Sequence, residues 1–567
     1  MYPQRISVDK MEPSSEPKAD TTRPGPTLSS TLDRCQGATR QQTSSYTQYR
    51  APSEHGQALI SPALSESAGL ISENRARQAD QKAFRDLRER ARRYLHDEAI
   101  RFTCQYRDVP EIHPSQERNI IMSGHQPTLF HAGVWFKNFA LAKIAKQEDA
   151  TPINLIIDND IAAGCSIRVP MMDPITGAAH YRSIHFDQAG GGIPYEQTEI
   201  ADIACFDSFA EHVIESIQPI VQTPCVKHLW MHANSAKARS NNLGHVLAEA
   251  RHSLETHCGL QTLEVPLSTI CNHVTFFDFI LRILSELPRF HQCYNESIMD
   301  YRLAHRIRST SHPVPNLRVK EDSLEAPLWI YGKEDSKRRP AWVRLGKDHL
   351  LIHDGASRQH RIDLRNPSAS AEQLHSLVND RFKIRPRAII TTMYARMILS
   401  DLFIHGIGGG KYDQLGDQIT RSFFGIDPLA FTVISATAKL PFTQASKRTP
   451  DTRTLHRSIR DTIYQPEKFE SEFDLPSPIL EKKRLMLQEI PAKGKRKQWH
   501  LELEQLNQQL ASHLNEKRNH FRTELEQAQV KSAANRIVNH REHSFCLFDL
   551  NYLSETFKLM LNESPNS

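Results

Sequence analysis

No stretch of the chain approaches about 18 uninterrupted apolar residues, so no membrane-spanning helix and no membrane partner is expected. Its nine cysteines, Cys35, Cys104, Cys165, Cys205, Cys225, Cys258, Cys271, Cys293 and Cys546, include no Cys-x-x-Cys pair. That absence argues against a zinc ribbon or a disulfide framework and makes a reducing cytoplasm the expected setting. His-Glu-x-x-His and Gly-x-Ser-x-Gly are also missing, so no metal site and no hydrolase nucleophile is assigned. Residues 1–18 carry charge and proline without an apolar core, which is wrong for a secretion signal. A net charge of +5 is weak for 567 residues, and opposite charges are interspersed, so composition does not mark a nucleic-acid binder. What is present is a hydrophobic share of 39%, enough for two or three domains at this length.

The expected organisation runs in five parts. Residues 1–69 are rich in Ser, Thr, Pro and Gln and are expected to be a disordered leader. Residues 70–167 begin with an amphipathic helix over 73–100, carrying Phe84, Leu87, Ala91 and Leu95. They continue as a βαβ unit: strand 119–122, helix 135–146, then strand 153–157 ending in Asp158-Asn159-Asp160. Residues 168–380 read as insertions, with helical patterns at 209–221 and 277–287 and strand-like segments at 327–331 and 342–345. A second α/β block, 381–477, opens with Ala388, Ile389, Ile390 and Thr391 and reaches a glycine-rich loop at 405–411, followed by a helix pattern at 414–424. The fold class is therefore α/β with a parallel sheet, and the two strand–loop–helix units are expected to converge at its carboxyl edge. Residues 478–567 are long charged helices with a docking tail at 543–553. Trp499, Leu503, Leu506 and Leu510 follow a coiled-coil spacing, and Leu514, Phe521 and Leu525 continue it after a stutter. An intramolecular hairpin and an intermolecular coiled coil fit that seam equally.

The segment Ser123-Gly124-His125-Gln126, continued by Leu129, Phe130, His131 and Gly133, joins an apolar strand to a helix start. Free amides at such a junction bind anions. His125, His131 and Lys137 add proton transfer and positive charge, against the alternative of structural loop histidines. Gly406, Gly408, Gly409 and Gly410 let backbone approach a phosphate, with Lys411 as cation and His405 where a Walker loop needs glycine; a tight turn is the alternative. Asp158 and Asp160 suit a ribose hydroxyl, an amine or hydrated magnesium, or cap the next element. Asp413 and Asp417 suit the following helix dipole. Arg385-Pro386-Arg387 suits a phosphate, a carboxylate or a solvated turn. The basic run 492–497 reads as a solvated linker rather than a nucleic-acid contact.

Taken in order, these motifs resemble the cysteine ligases of bacillithiol synthesis. Ser123-Gly124-His125-Gln126 with Leu129-Phe130 and Gly133 is similar to that family's Thr-Gly-Gln-Gln, Leu-Phe and Gly-Pro elements. Arg385-Pro386 followed by 403–410 resembles its Arg-Pro and glycine-rich region, and the last helices resemble its coiled-coil dimerisation segment. The likeness spans about residues 120–548 in short motifs, with His125 in place of the first Gln and Gly409-Gly410-Lys411 in place of an acidic ending. His131-Ala132-Gly133-Val134 is also similar to the His-x-Gly-His signature of nucleotidyltransferases, with Val134 in the last position.

The resemblance implies a Rossmann-like core with insertions and a C-terminal helical coiled coil, and a homodimer. It implies ATP-dependent amide formation from a small-molecule substrate pair, an amino acid such as cysteine and an amine or amino sugar. ATP or another nucleotide, with Mg2+, would then be the cofactor. On this reading His125, His131, Asp158 and Lys411 are catalytic. Ser123, Gly124, Gln126, Gly133, Lys137, Asp160, His405, Gly406, Gly408, Gly409 and Gly410 hold the nucleotide. The alternative is an inactive nucleotide-binding or scaffold protein that dimerises through its C-terminal helices.

Overall fold

Ile120, Ile121 and Met122 are fully enclosed between neighbouring strands, which is why they form a continuous apolar run instead of an alternating one. The computed structural model describes residues 46–109, 118–162, 164–188, 191–442 and 451–562. Its strands, in chain order, are β1 Gln57–Ser61, β2 Ile120–His125, β3 Thr151–Ile156, β4 Ser166–Met172, β5 Ala179–His185, β6 Leu263–Pro266 and β7 Val319–Lys320. They continue as β8 Ser323–Tyr331, β9 Arg339–Leu345, β10 His349–His353, β11 Gln359–Asp363, β12 Lys383–Pro386, β13 Leu402–His405 and β14 Phe431–Thr437. The main sheet has the order β1-β14-β13-β2-β3-β6. Its last five strands are parallel, and β1 closes one edge antiparallel to β14. The protein is thus mixed α/β around a largely parallel sheet. A second, antiparallel sheet, β11-β10-β9-β8-β12 with β7 beside β8, comes from 319–386, and β4 pairs with β5 alone.

The helix Ala132–Gln147 is buried on nearly all sides because the sheet covers one face and the chain's tail covers the other. Trp135 packs on Phe545 at 4.7 Å, and Phe136 and Phe139 pack on Phe557 at 5.2 and 4.9 Å. Each such enclosed ring contributes about 1.5–3 kcal/mol. The expected docking of the tail is present: Phe545, Leu547, Phe548 and Leu553 are all enclosed.

Several expected boundaries move. Residues 1–45 of the expected leader lie outside the described residues, but Gln57–Ser61 is the edge strand β1 and Ser67–Asp80 is already a helix. Order there comes from main-chain pairing with β14, which an apolar-content argument does not register. The single helix expected over 73–100 is two, Ser67–Asp80 and Arg85–Thr103. The insertion region contributes a core strand, β6, whose Glu264 is buried against Arg251 and Asn154 and so disguised it as polar. Ala388, Ile389, Ile390 and Thr391 lie in the helix Ala388–Tyr394.

At the C-terminus, Leu510 and Leu514 pack with Leu475 and Leu480 of the same chain. The apparent stutter is a helix end: Arg496–Ser512 stops and Asn515–Val538 begins, with Leu514 buried in the turn. That part of the seam is therefore filled within one chain. Among the described residues no helix is long and apolar enough to cross a membrane.

Candidate functional site

β2 and β13 are hydrogen-bonded neighbours, so the chain segments that leave their carboxyl ends meet. Between them and the second sheet lies a cavity of about 920 Å3. Its wall includes Gly124, His125, Gln126, His131, Gly133, Lys137 and Asp160 from one side and His405, Gly406, Gly408, Gly409 and Lys411 from the other. The two units thus converge at one cavity, as expected. Among the described residues six cations, Arg50, Lys137, Arg338, Arg387, Lys411 and Arg541, line it against a single acid, Asp160, which favours an anionic ligand.

Three expected site residues stand outside the wall. Ser123 is buried and its hydroxyl donates to the Ile404 carbonyl at 3.1 Å, tying β2 to β13. Asp158 is buried and accepts from the Ser268 amide at 2.9 Å and from its hydroxyl, so its carboxylate serves that turn. Gly410 faces β14, where a Cβ would come within 2.4 Å of Val433 Cγ2.

The expected glycine-rich loop is a helix start. Gly406 is the N-cap and the helix runs Ile407–Ile419, continued by a π-helical turn over 420–424. Helical geometry wins because two of the glycines, Gly409 and Gly410, permit contacts that side chains would forbid: a Cβ on Gly409 would meet His405 Nδ1 at 2.7 Å. The first backbone bond is Gly410 N–H to the Gly406 carbonyl at 2.9 Å. The amides of Ile407, Gly408 and Gly409 come before it at the cavity wall without a helical acceptor.

Beneath this start lies a buried charge network. Asp413 accepts from Arg396 at 2.6 Å, from His405 Nε2 at 2.7 Å and from the Thr392 hydroxyl at 2.5 Å; Arg396 also meets Asp417 at 2.8 Å. Burial would raise the Asp413 pKa, but Arg396 and His405 outweigh it and hold the carboxyl below its usual range. Burial lowers the His405 pKa, leaving a neutral ring that donates through Nε2. Asp413 and Asp417 therefore anchor a network rather than merely facing the helix dipole.

The two histidines of the first segment hold opposite tautomers. Burial, then Lys137, pushes His125 down to about 3, and its Nδ1 lies 3.1 Å from the Gln126 carbonyl, which can only accept. Nδ1 thus carries the proton and Nε2 is a free base. Burial, then Arg541, pushes His131 down to about 4. Its Nδ1 accepts from Gly133 N–H at 3.1 Å as the N-cap of Ala132–Gln147, leaving Nε2–H as a donor. Lys137 donates to the Gly124 carbonyl at 2.9 Å, and burial brings its pKa down to about 8. Gln126 donates to Asp160 at 2.7 Å.

Sequence reasoning missed Trp329, Arg338, Tyr294, Arg541 and the segment around Tyr49 and Arg50, all in the wall. No local pattern marked them, since tertiary folding alone brings them there. Of the Arg385-Pro386-Arg387 motif, Arg385 is fully buried against Glu196 at 2.9 Å, whereas Arg387 reaches the cavity. Among the described residues no group of three or more His, Cys, Asp or Glu is placed to hold a metal ion.

Fold and cavity together define an α/β protein with a composite cationic site at the carboxyl edge of a parallel sheet. The chain matches no protein-family model and no curated protein.

Proposed function

We propose that the protein is a nucleotide-dependent enzyme of carbon–nitrogen bond formation, which activates a carboxylate at this cavity for attack by an amine. One observation carries the reading: an anion-receptive helix start and two neutral histidines of opposite tautomer share one cavity at the sheet edge. The order of β13, β2 and β3, with the cavity at their carboxyl ends, also supports a Rossmann-like description of the core.

The cavity suits a nucleotide such as ATP, because a Cβ at Gly408 would meet nothing within 4 Å and one at Gly406 only Lys137 at 3.8 Å. Backbone can therefore approach a phosphate there. A bound ATP, with Mg2+, supplies the phosphorus centre that turns a carboxylate oxygen into a leaving group. The amides of Ile407, Gly408 and Gly409, with Lys411, hold the phosphate charge. The amine attacks as the neutral base; His125 Nε2 takes the proton its nitrogen releases as the C–N bond forms, and His131 Nε2–H donates to the oxyanion that develops. Gln126 and Asp160, already paired, orient a hydroxyl or the amine.

Calorimetric titration of Mg-ATP, followed by ATP turnover with amino acids and amines, tests this. Lys411→Ala is expected to weaken nucleotide binding about tenfold, whereas His125→Ala should keep binding and lose turnover about a hundredfold. If neither substitution changes binding or turnover, the assignment falls. Binding without turnover in the wild-type protein would favour the inactive binding or scaffold reading.

A further inference from the structure

The second sheet brings its own charge to the cavity. Trp329 lies towards the end of β8, paired with Arg385 of β12 on one side and Pro340 of β9 on the other. The residues just outside those partner strands' ends, Arg338 before β9 and Arg387 after β12, place their guanidinium carbons 5.2 and 4.0 Å from the indole ring. Aromatic contact of this kind fixes the plane and direction of a guanidinium fork.

Neither fork is saturated by the protein. Arg338 uses Nη1 on the Asn159 carbonyl at 3.1 Å and on Asp160 at 2.9 Å. Arg387 uses Nη2 on Glu325 at 2.6 Å. Nη2 of Arg338 and Nη1 of Arg387 bond to no described residue, and the Nε of each is buried without a partner. Buried guanidinium donors are costly to leave unmatched. The charges do not cancel either. Glu325 is divided between Arg387 and Arg318, at 2.6 and 2.8 Å, and Asp160 between Arg338 and Gln126. Of these carboxylates only Asp160 lines the cavity, so on this wall the two forks of Arg338 and Arg387 face one carboxylate, one positive charge in excess.

We propose that Arg338 and Arg387 form the subsite for the carboxylate of a small organic acid, in the first instance an α-amino acid, with Trp329 holding the two forks in place. One excess charge and planar forks match a carboxylate monoanion better than a phosphate dianion. The phosphate-type donors, backbone amides and Lys411, belong to the other wall. This deepens the proposed function, on which it rests for the meaning of the acid as a substrate, by stating which wall takes it.

The experiment titrates the full chain with each proteinogenic amino acid and with the corresponding carboxamide, with and without Mg-ATP. At least one amino acid is expected to bind, with its carboxamide about tenfold weaker or worse. Arg338→Gln and Arg387→Gln should each weaken the acid about tenfold while Mg-ATP affinity stays within about twofold. Because Arg387 also neutralises buried Glu325, Arg387→Lys is measured beside it. That variant keeps the charge, and should keep the wild-type melting temperature while losing most of the acid affinity. The subsite is overturned if no amino acid binds, if acid and carboxamide bind alike, or if the arginine variants retain acid affinity. Acid binding that follows these expectations in a chain that does not bind Mg-ATP would sink the nucleotide reading and leave the carboxylate subsite standing.

Discussion

After β2 the chain passes through a polar loop at 126–131 before its helix begins at Ala132, whereas after β13 only Gly406 separates the strand from a helix that begins at Ile407. The two junctions share one sheet edge and one cavity. The first presents side chains, His125 and His131, whose hydrogen bonds fix where each proton sits. The second presents backbone amides, and its one large buried side chain, His405, is turned by Asp413 into support for the helix start. Under the proposed function, equivalent positions in a parallel sheet thus divide the labour of proton handling and anion holding. Which role each takes follows from the residue immediately after the strand and from what lies under the helix.

Removing the support under the second junction should have the largest effect. Asp413→Ala leaves Arg396 and His405 buried without their acceptor, at an expected cost of about 3–5 kcal/mol. Chemical denaturation at neutral pH measures it. Because the folded pKa is depressed, the Asp413 contribution is fully present above the unfolded value near 3.8 and fades only as pH falls towards the lower folded value. The gap between variant and wild type should therefore be constant from pH about 6 to about 8. A gap that closes within that window would mean that Asp413 is not held as described.

The first junction breaks in a different way. A Cβ on Gly133 would stand 2.2 Å from the Ala436 carbonyl oxygen, a backbone atom of β14 that cannot swing aside. Gly133→Ala is expected to lower stability by about 2–3 kcal/mol as helix and sheet are pushed apart. An unchanged urea midpoint would show that this helix is not seated on β14 through its glycine.

The contrast between the junctions was only half legible in the sequence. The buried strands announced themselves through runs such as Ile120 to Met122, because residues enclosed on both faces need no polar alternation. His131 and Gly133 sat where helix starts are signalled. The clustering of Gly406 to Gly410 was visible too, but not its conformation: close approach to His405 and Val433, three-dimensional facts, makes it helix rather than loop. Asp158 and Asp160 looked alike at a strand end, and only the position of Ser268 separates the buried one from the one at the cavity. Trp329 and Arg338 could not be found locally, since the second sheet folds back over an edge built from distant segments.

A smaller effect separates the capping role of His131 from its titration. Its folded pKa is depressed from 6.5 to about 4, so the folded state resists a proton that the unfolded chain takes up. Stability contributed by the neutral ring is present above the unfolded value and is lost as pH falls from about 6.5 towards 4. Asparagine also caps helices and does not titrate. His131→Asn is expected to match the wild type at pH about 8 and to be the more stable by about 1–2 kcal/mol at pH about 5. Paired melting curves at the two pH values decide it, and parallel curves would place the acid sensitivity elsewhere.

The smallest stability change is the most informative about the anion-holding junction. Gly408 lies in the first turn of its helix, and a Cβ there would meet nothing within 4 Å. Unlike Gly133, it has no packing reason to be glycine. Alanine is the better helix former, so Gly408→Ala should raise stability by up to about 1 kcal/mol. If the residue is glycine to let a phosphate reach the amides, the same methyl group should weaken Mg-ATP binding about tenfold, because it occupies the approach to the donors. A variant that is more stable and binds as tightly as the wild type would move the phosphate away from this turn, leaving the asymmetry between the two junctions a matter of packing alone.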